Sequence, residues 1–283
     1  MRKWVVLAAF GAFASAAVPA RADMRNYSYK VTGRPDVRVE TNDAAIEVSS
    51  WDNSEVAERV VTNGYAISDA EVRIVRAEQS GNRIDLEVRV PRSHSWFSND
   101  NRSVRIEITV PRSANLDLHT GDGHIHASGV SGEIRLETAD GHLEASSLKG
   151  SIRLHTSDGH IEATEMDGSL DASTRDGRVR VRGRFDNLRV ETADGSLTAD
   201  ILPGSKMSGN WSLTTGDGSI SVRLPDGFAA DIDAHTGDGN ITSQLPMLVS
   251  GLLGSRDLRG KLGGGGPTLQ IRTGDGSIRL ERL

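Results

Sequence analysis

Three histidines stand at His124, His142 and His160, eighteen residues apart each time, with His126 beside the first. Imidazoles brought onto one face at strand separation could hold Zn²⁺ or Cu²⁺, and Glu144 and Glu162 are near enough in sequence to join or orient them. Each histidine follows an Asp-Gly pair. Those pairs recur at Asp122-Gly123, Asp140-Gly141, Asp158-Gly159, Asp176-Gly177 and Asp194-Gly195, then less regularly at Asp217-Gly218, Asp238-Gly239 and Asp275-Gly276. A column of carboxylates raises calcium.

Both metal readings meet objections in the same spacing. Calcium needs several oxygens, whereas each corner brings one carboxylate, and the period is twice the nine residues of calcium-binding β-rolls. The histidine column continues as Arg178, Ser196, Ser219, Asn240 and Ser277, most of which are poor ligands. Adjacent ladder positions also point in parallel rather than converging on one centre. The expectation is therefore no cofactor and no dedicated metal, with His124, His142 and His160 as the metal candidates.

Catalysis on such a scaffold would suit a polysaccharide hydrolase or lyase. Carboxylate pairs at glycosidase distance occur anywhere in a ladder this acidic, so they discriminate little. No G-x-S-x-G element is present, and no departure from the repeat gathers an acid, a base and a cation. The sequence predicts no catalytic residue and no enzyme.

The elements that must position these side chains follow from the period. Alternation of apolar and polar residues runs through Ile125 and Ala127, Leu143 and Ala145, Ile161 and Ala163, Val179 and Val181, Leu197 and Ala199. A second set follows a second turn at Gly132, Gly150, Gly168 or Asn187. It carries Ile134 and Leu136, Ile152 and Leu154, Leu170 and Ala172, Leu188 and Val190. A period of two is that of a strand. A fixed repeat near twenty residues is that of a solenoid, in which each unit buries its apolar side against its neighbours.

Asp-Gly is also a strong hairpin signal. A meander of hairpins, however, would leave nothing to hold the period at eighteen, whereas stacked coils enforce it. The predicted fold is all-β: a right-handed parallel β-solenoid with about 18 residues per coil and N-terminal hairpin excursions. In that fold the glycines turn a corner in an open backbone conformation. The aspartates bond to nearby backbone N–H groups, and Thr120, Thr138, Thr156, Thr174 and Thr192 stack as a β-branched column. Stacked aspartates repel, so arginines, backbone donors or cations must balance them.

Composition sets the outer bounds. MRKWVVLAAFGAFASAAVPARA has a positive start, a short apolar run and a small-x-small site at Ala20-Arg21-Ala22. That is the pattern of an export signal over residues 1–22, too short for a membrane span. Residues 23–283 then read as a single β-solenoid domain, with N-terminal coils and hairpins over 23–112 and the regular array with a C-terminal cap over 113–283. No cysteine is present, which excludes disulfides, thiolate metal sites and a lipid-modified cysteine. The net charge is −6, and −9 without Arg2, Lys3 and Arg21. That balance argues against nucleic acid as a partner. Aromatic residues are only 4%, which suits a repetitive β architecture better than an ordinary globular core.

Outside the array, IDLEVRV and VRIEITV read as further strands that cover the exposed edge of the ladder. The segment from Leu245 to Gly266 holds the apolar patch Leu248-Val249-Ser250-Gly251-Leu252-Leu253 and a run of glycines. It reads as a mobile loop, a partner-docking segment or part of a cap. The chain then returns to a last coil, TLQIRTGDGSIRLERL.

The ending KLGGGGPTLQIRTGDGSIRL, the serial T-x-D-G-x-I elements and the join VPRSANLDLHTGDGHI resemble a bacterial family of exported β-solenoid domains. That family carries the label of adhesins without an established function. The resemblance spans residues 36–283 and implies a non-catalytic, envelope-associated solenoid. It brings no catalytic motif and does not account for the three histidines. The expected partner is an envelope protein or a glycan. The mature chain would carry no membrane span and would work in the periplasm or at the cell surface.

Overall fold

The computed structural model describes residues 22–91, 102–249 and 255–283. The export-signal expectation falls almost wholly on residues outside this set. Among the described residues there is no helix, and every strand belongs to one hydrogen-bonded sheet.

Residues eighteen positions apart pair in parallel. On one side Leu116, Ile134, Ile152, Leu170 and Leu188 follow one another across five strands. On the other side Ile125, Leu143, Ile161, Val179 and Leu197 do the same. All ten are buried and belong to one core. The stack is thus solenoid-like. Each coil's inward valines, leucines and isoleucines have no other place to hide than against the coils above and below.

Spatial order departs from chain order at both ends. The first coil, formed by Asp36–Thr41 and Ala45–Trp51, is not terminal. Val37 pairs with Leu116 on one flank and with Ile84 on the other. Ile46 likewise pairs with Ile125 and with Ile106. The last stretch behaves in the same way. Leu269 lies between Trp211 and Ile232, and Ile278 between Ile220 and Ile241. The expected final coil is therefore inserted beneath an outer coil formed by Ala230–Asp238 and Ile241–Ser243.

Both ends are closed by antiparallel strands. Arg73–Ser80 covers Arg83–Arg89; Glu55–Asn63 covers Ser103–Pro111 and is itself covered by Ala22–Lys30. At the opposite end Asp257–Leu262 covers Ala230–Asp238, and Met247–Val249 lies outside it. An uncovered parallel edge is a template for association, and these strands cover it along Arg83–Arg89, Ser103–Pro111 and Ala230–Asp238. The 245–266 segment thus contributes to a cap; its residues 250–254 lie outside the described set.

Candidate functional site

Each corner is set by a threonine and a glycine. Thr120, Thr138, Thr156, Thr174, Thr192, Thr215, Thr236 and Thr273 are all buried. Their hydroxyls donate to a carbonyl of the neighbouring coil. Thr138 reaches Gly123 O at 2.9 Å, Thr156 reaches Gly141 O at 3.1 Å and Thr174 reaches Gly159 O at 3.2 Å. The same oxygens close the corners, because Gly123 N donates to Thr120 Oγ1 and Gly141 N to Thr138 Oγ1. The corner bond that the sequence assigned to aspartate is made by threonine.

The glycines are required by close approach more than by backbone handedness. A Cβ on Gly141 would lie 1.9 Å from Gly123 O, and one on Gly159 would lie 2.1 Å from Gly141 O. Neither has a positive φ, whereas Gly177 and Gly195 do, at 154° and 151°. Among the Asp-Gly corners, positive φ is a second reason for glycine from Gly177 onward.

This corner fixes the side chains that follow it. His124, His142 and His160 come together in the column the sequence predicts. The His124 and His142 rings lie 6.2 Å apart, and those of His142 and His160 are 5.1 Å apart and parallel within 1°. His160 N–H donates to His142 Nδ1 at 3.3 Å, and Arg178 N–H donates to His160 Nδ1 at 3.1 Å. One ring nitrogen of His142 and one of His160 are thereby committed to the backbone, and the rings stack rather than converge. His126 stands apart, with Nδ1 at 3.4 Å from Glu144 Oε2. Among the described residues no group of three or more His, Asp or Glu is arranged to hold a metal ion.

The aspartates stack as the period requires: Asp158 on Asp176, Asp176 on Asp194, Asp194 on Asp217. Partial desolvation and the charges of Asp158 and Asp194 push the Asp176 carboxyl up. Desolvation and Asp122 do the same to Asp43, the corner residue of the first coil. An arginine supplies part of the balance. Arg175 Nη2 lies 3.0 Å from Asp158 Oδ1, and its Nε lies 3.7 Å from Asp176 Oδ2.

The outer faces carry charge ladders. Arg153 approaches Asp171 one coil on at 3.9 Å, and Lys149 approaches Asp167 at 3.3 Å. Arg189 pairs with Glu191 along its own strand at 3.0 Å. These pairs are exposed and contribute little stability individually.

Two features escape the repeat reading. Glu58 sits at an inward phase between Val56 and Val60 and is 1% exposed. Burial pushes its carboxyl up to about 7; Tyr29 opposes the rise and Asp85 adds to it. Burial and Glu58 push the Tyr29 hydroxyl up in turn, and among the described residues neither group has a well-aligned hydrogen-bond partner. The second feature is a row of exposed arginines: Arg178 immediately before the strand Val179–Asp194, and Arg180 and Arg182 on its first outward positions.

A stack of parallel β-coils, glycine-cornered and capped at both ends, defines a β-solenoid-like class of protein. Within it, the chain belongs to the Toastrack DUF4097 family, whose profile matches residues 32–281. Solved structures to which it is similar include a "putative cell adhesion protein" from Clostridium sporogenes, 15% identical with a TM-score of 0.32, covering 93% of this chain and 100% of that one. A "putative lipid binding protein" from Parabacteroides distasonis is 15% identical with a TM-score of 0.49, covering 91% of this chain and 96% of that one. A "putative adhesin" from Bacteroides fragilis is 11% identical with a TM-score of 0.38, covering 91% and 97%. No curated protein matches the chain.

Proposed function

We propose that this protein is a non-catalytic, adhesin-like scaffold of the cell envelope, exported to the periplasm or cell surface. It presents a rigid repetitive β surface to an envelope protein or a glycan. In this reading the coils are right-handed with about eighteen residues each. The observation that carries it is the corner. A buried threonine and a glycine that admits no Cβ lock each coil to the next, so outward side chains stand in fixed columns. Such a surface offers many weak, equally spaced contacts, whose strength comes from repetition along one rigid body.

Crosslinking of the tagged chain in native envelopes, followed by pull-down, tests the proposal. Specific capture of an envelope component is expected. Incubation of envelope polysaccharides with the chain, read by reducing-end release, should give no product above a blank; release of sugar ends would refute the non-catalytic part.

A further inference from the structure

Within an acidic chain, Arg178, Arg180 and Arg182 are exposed at alternate positions, about 6.6 Å apart by strand geometry. Among the described residues none of the three makes an ion pair. Arg180 has Glu162 as its neighbour on the preceding coil without reaching it. Arg182 has Asp200 as its neighbour on the next coil, but that carboxylate is held by Arg223 at 2.6 and 2.5 Å. Beyond the row the surface turns to hydroxyls. Thr198 follows Arg180, and Ser221 follows Thr198. Ser196 and Ser219 are the equivalent residues in the column of Arg178, accepting the Val179 and Leu197 amides at their carbonyls. Arg279 follows Ser221 and closes the strip, three coil steps from Arg180.

We infer that this strip binds a linear anionic polysaccharide, carboxylated or sulfated. The inference rests on the proposed scaffold reading and names the partner class for its surface. Guanidinium groups take carboxylate and sulfate through paired N–H donors, and free ones have no internal bond to give up. The hydroxyl floor offers donors and acceptors to sugar hydroxyls. A narrow chain suits the strip better than a membrane does. Acidic Glu144 and Glu162 border it on one side, and the Asp176 and Asp194 corners lie beside it. An anionic bilayer would press against those carboxylates, and three arginines fall short of the four to eight basic residues typical of lipid-reading clusters.

The test uses residues 23–283 immobilised, with polygalacturonate, dextran sulfate and neutral dextran as probes, and phosphatidylglycerol vesicles as a separate arm. Binding of either anionic polymer, falling with salt and absent for neutral dextran, is expected. The triple variant Arg178→Gln, Arg180→Gln, Arg182→Gln should weaken it at least tenfold. The triple variant Arg25→Gln, Arg73→Gln, Arg76→Gln removes the same charge at the N-terminal cap and should change it less than twofold. Equal losses in the two variants would overturn the inference, as would binding to vesicles without binding to either polymer. If neither polymer binds while envelope capture persists, the strip is wrong and the scaffold reading stands. If envelope capture fails as well, the scaffold reading falls with it.

Discussion

The Thr138 hydroxyl donates to the Gly123 carbonyl of the preceding coil across 2.9 Å and accepts the Gly141 amide of its own corner at 3.2 Å. One side chain therefore joins two coils and closes a turn. Thr138→Val keeps the shape and removes both bonds, leaving a buried N–H without its acceptor. The expected loss is about 1–3 kcal/mol, against a smaller loss for Thr138→Ser. Urea denaturation of both variants measures it, and equal losses would show that the methyl group, not the hydroxyl, matters.

Gly159 is the sharper constraint. A Cβ there meets Gly141 O at 2.1 Å, so Gly159→Ala must push two coils apart. We expect about 3 kcal/mol of destabilisation, the upper range of overpacking. A melting temperature unchanged within error would show that the corners can breathe.

Glu58 gives the chain a pH dependence of definite sign. Its folded-state value of about 7 lies above the ordinary 4.5, so the fold prefers the neutral acid. That preference is fully present below about pH 4.5 and is lost as pH rises to about 7. The unfolded chain releases its proton first, and the cost is about 3 kcal/mol by pH 8. Glu58→Gln should flatten this component. The stability difference between variant and parent should grow between pH 5 and pH 8; a constant difference would mean that Glu58 ionises normally in the fold.

The histidine column makes a spectroscopic prediction. Because His142 and His160 accept backbone amides at Nδ1, their neutral rings carry the proton on Nε2. Nitrogen-15 spectra of the neutral imidazoles should show that tautomer for both. The opposite tautomer would mean that the rings are turned.

Most of the architecture is legible in the letters because it is periodic. Eighteen-residue spacing, alternation around Ile134 and Ile152, and the Thr and Gly columns are satisfied together by a stack in register. Spatial order at the ends is not legible. Val37, Ile84, Leu269 and Ile232 carry the same alternating signal as every other strand, and nothing local states which edge each will meet. Glu58 was readable in principle, since Val56, Val60 and Thr62 share its phase. It hid because a charge in a strand is ordinarily read as outward. The free arginines were visible as letters, but their lack of partners is a property of three dimensions.

The insertion of Thr268–Arg282 beneath Ala230–Asp238 makes the C-terminal residues a wedge. Ending the chain at Gly266 should release more than the missing strands. The Asp231 amide, which donates to Pro267 O, and the Asp233 and His235 amides on the same side of the strand should lose their hydrogen-exchange protection as well, because their parallel partner is gone. Retained protection there would show that the outer coil is held by Asp257–Leu262 alone.

The same interlocking limits how this body can change in size over generations. A unit duplicated between Asn115 and Asp217 finds a matching rung above and below and lengthens the rod by one step. A unit appended to either terminus finds none, since the first and last coils already lie inside the stack. Rods of different length in this lineage should differ by growth from the middle, with both ends inherited intact.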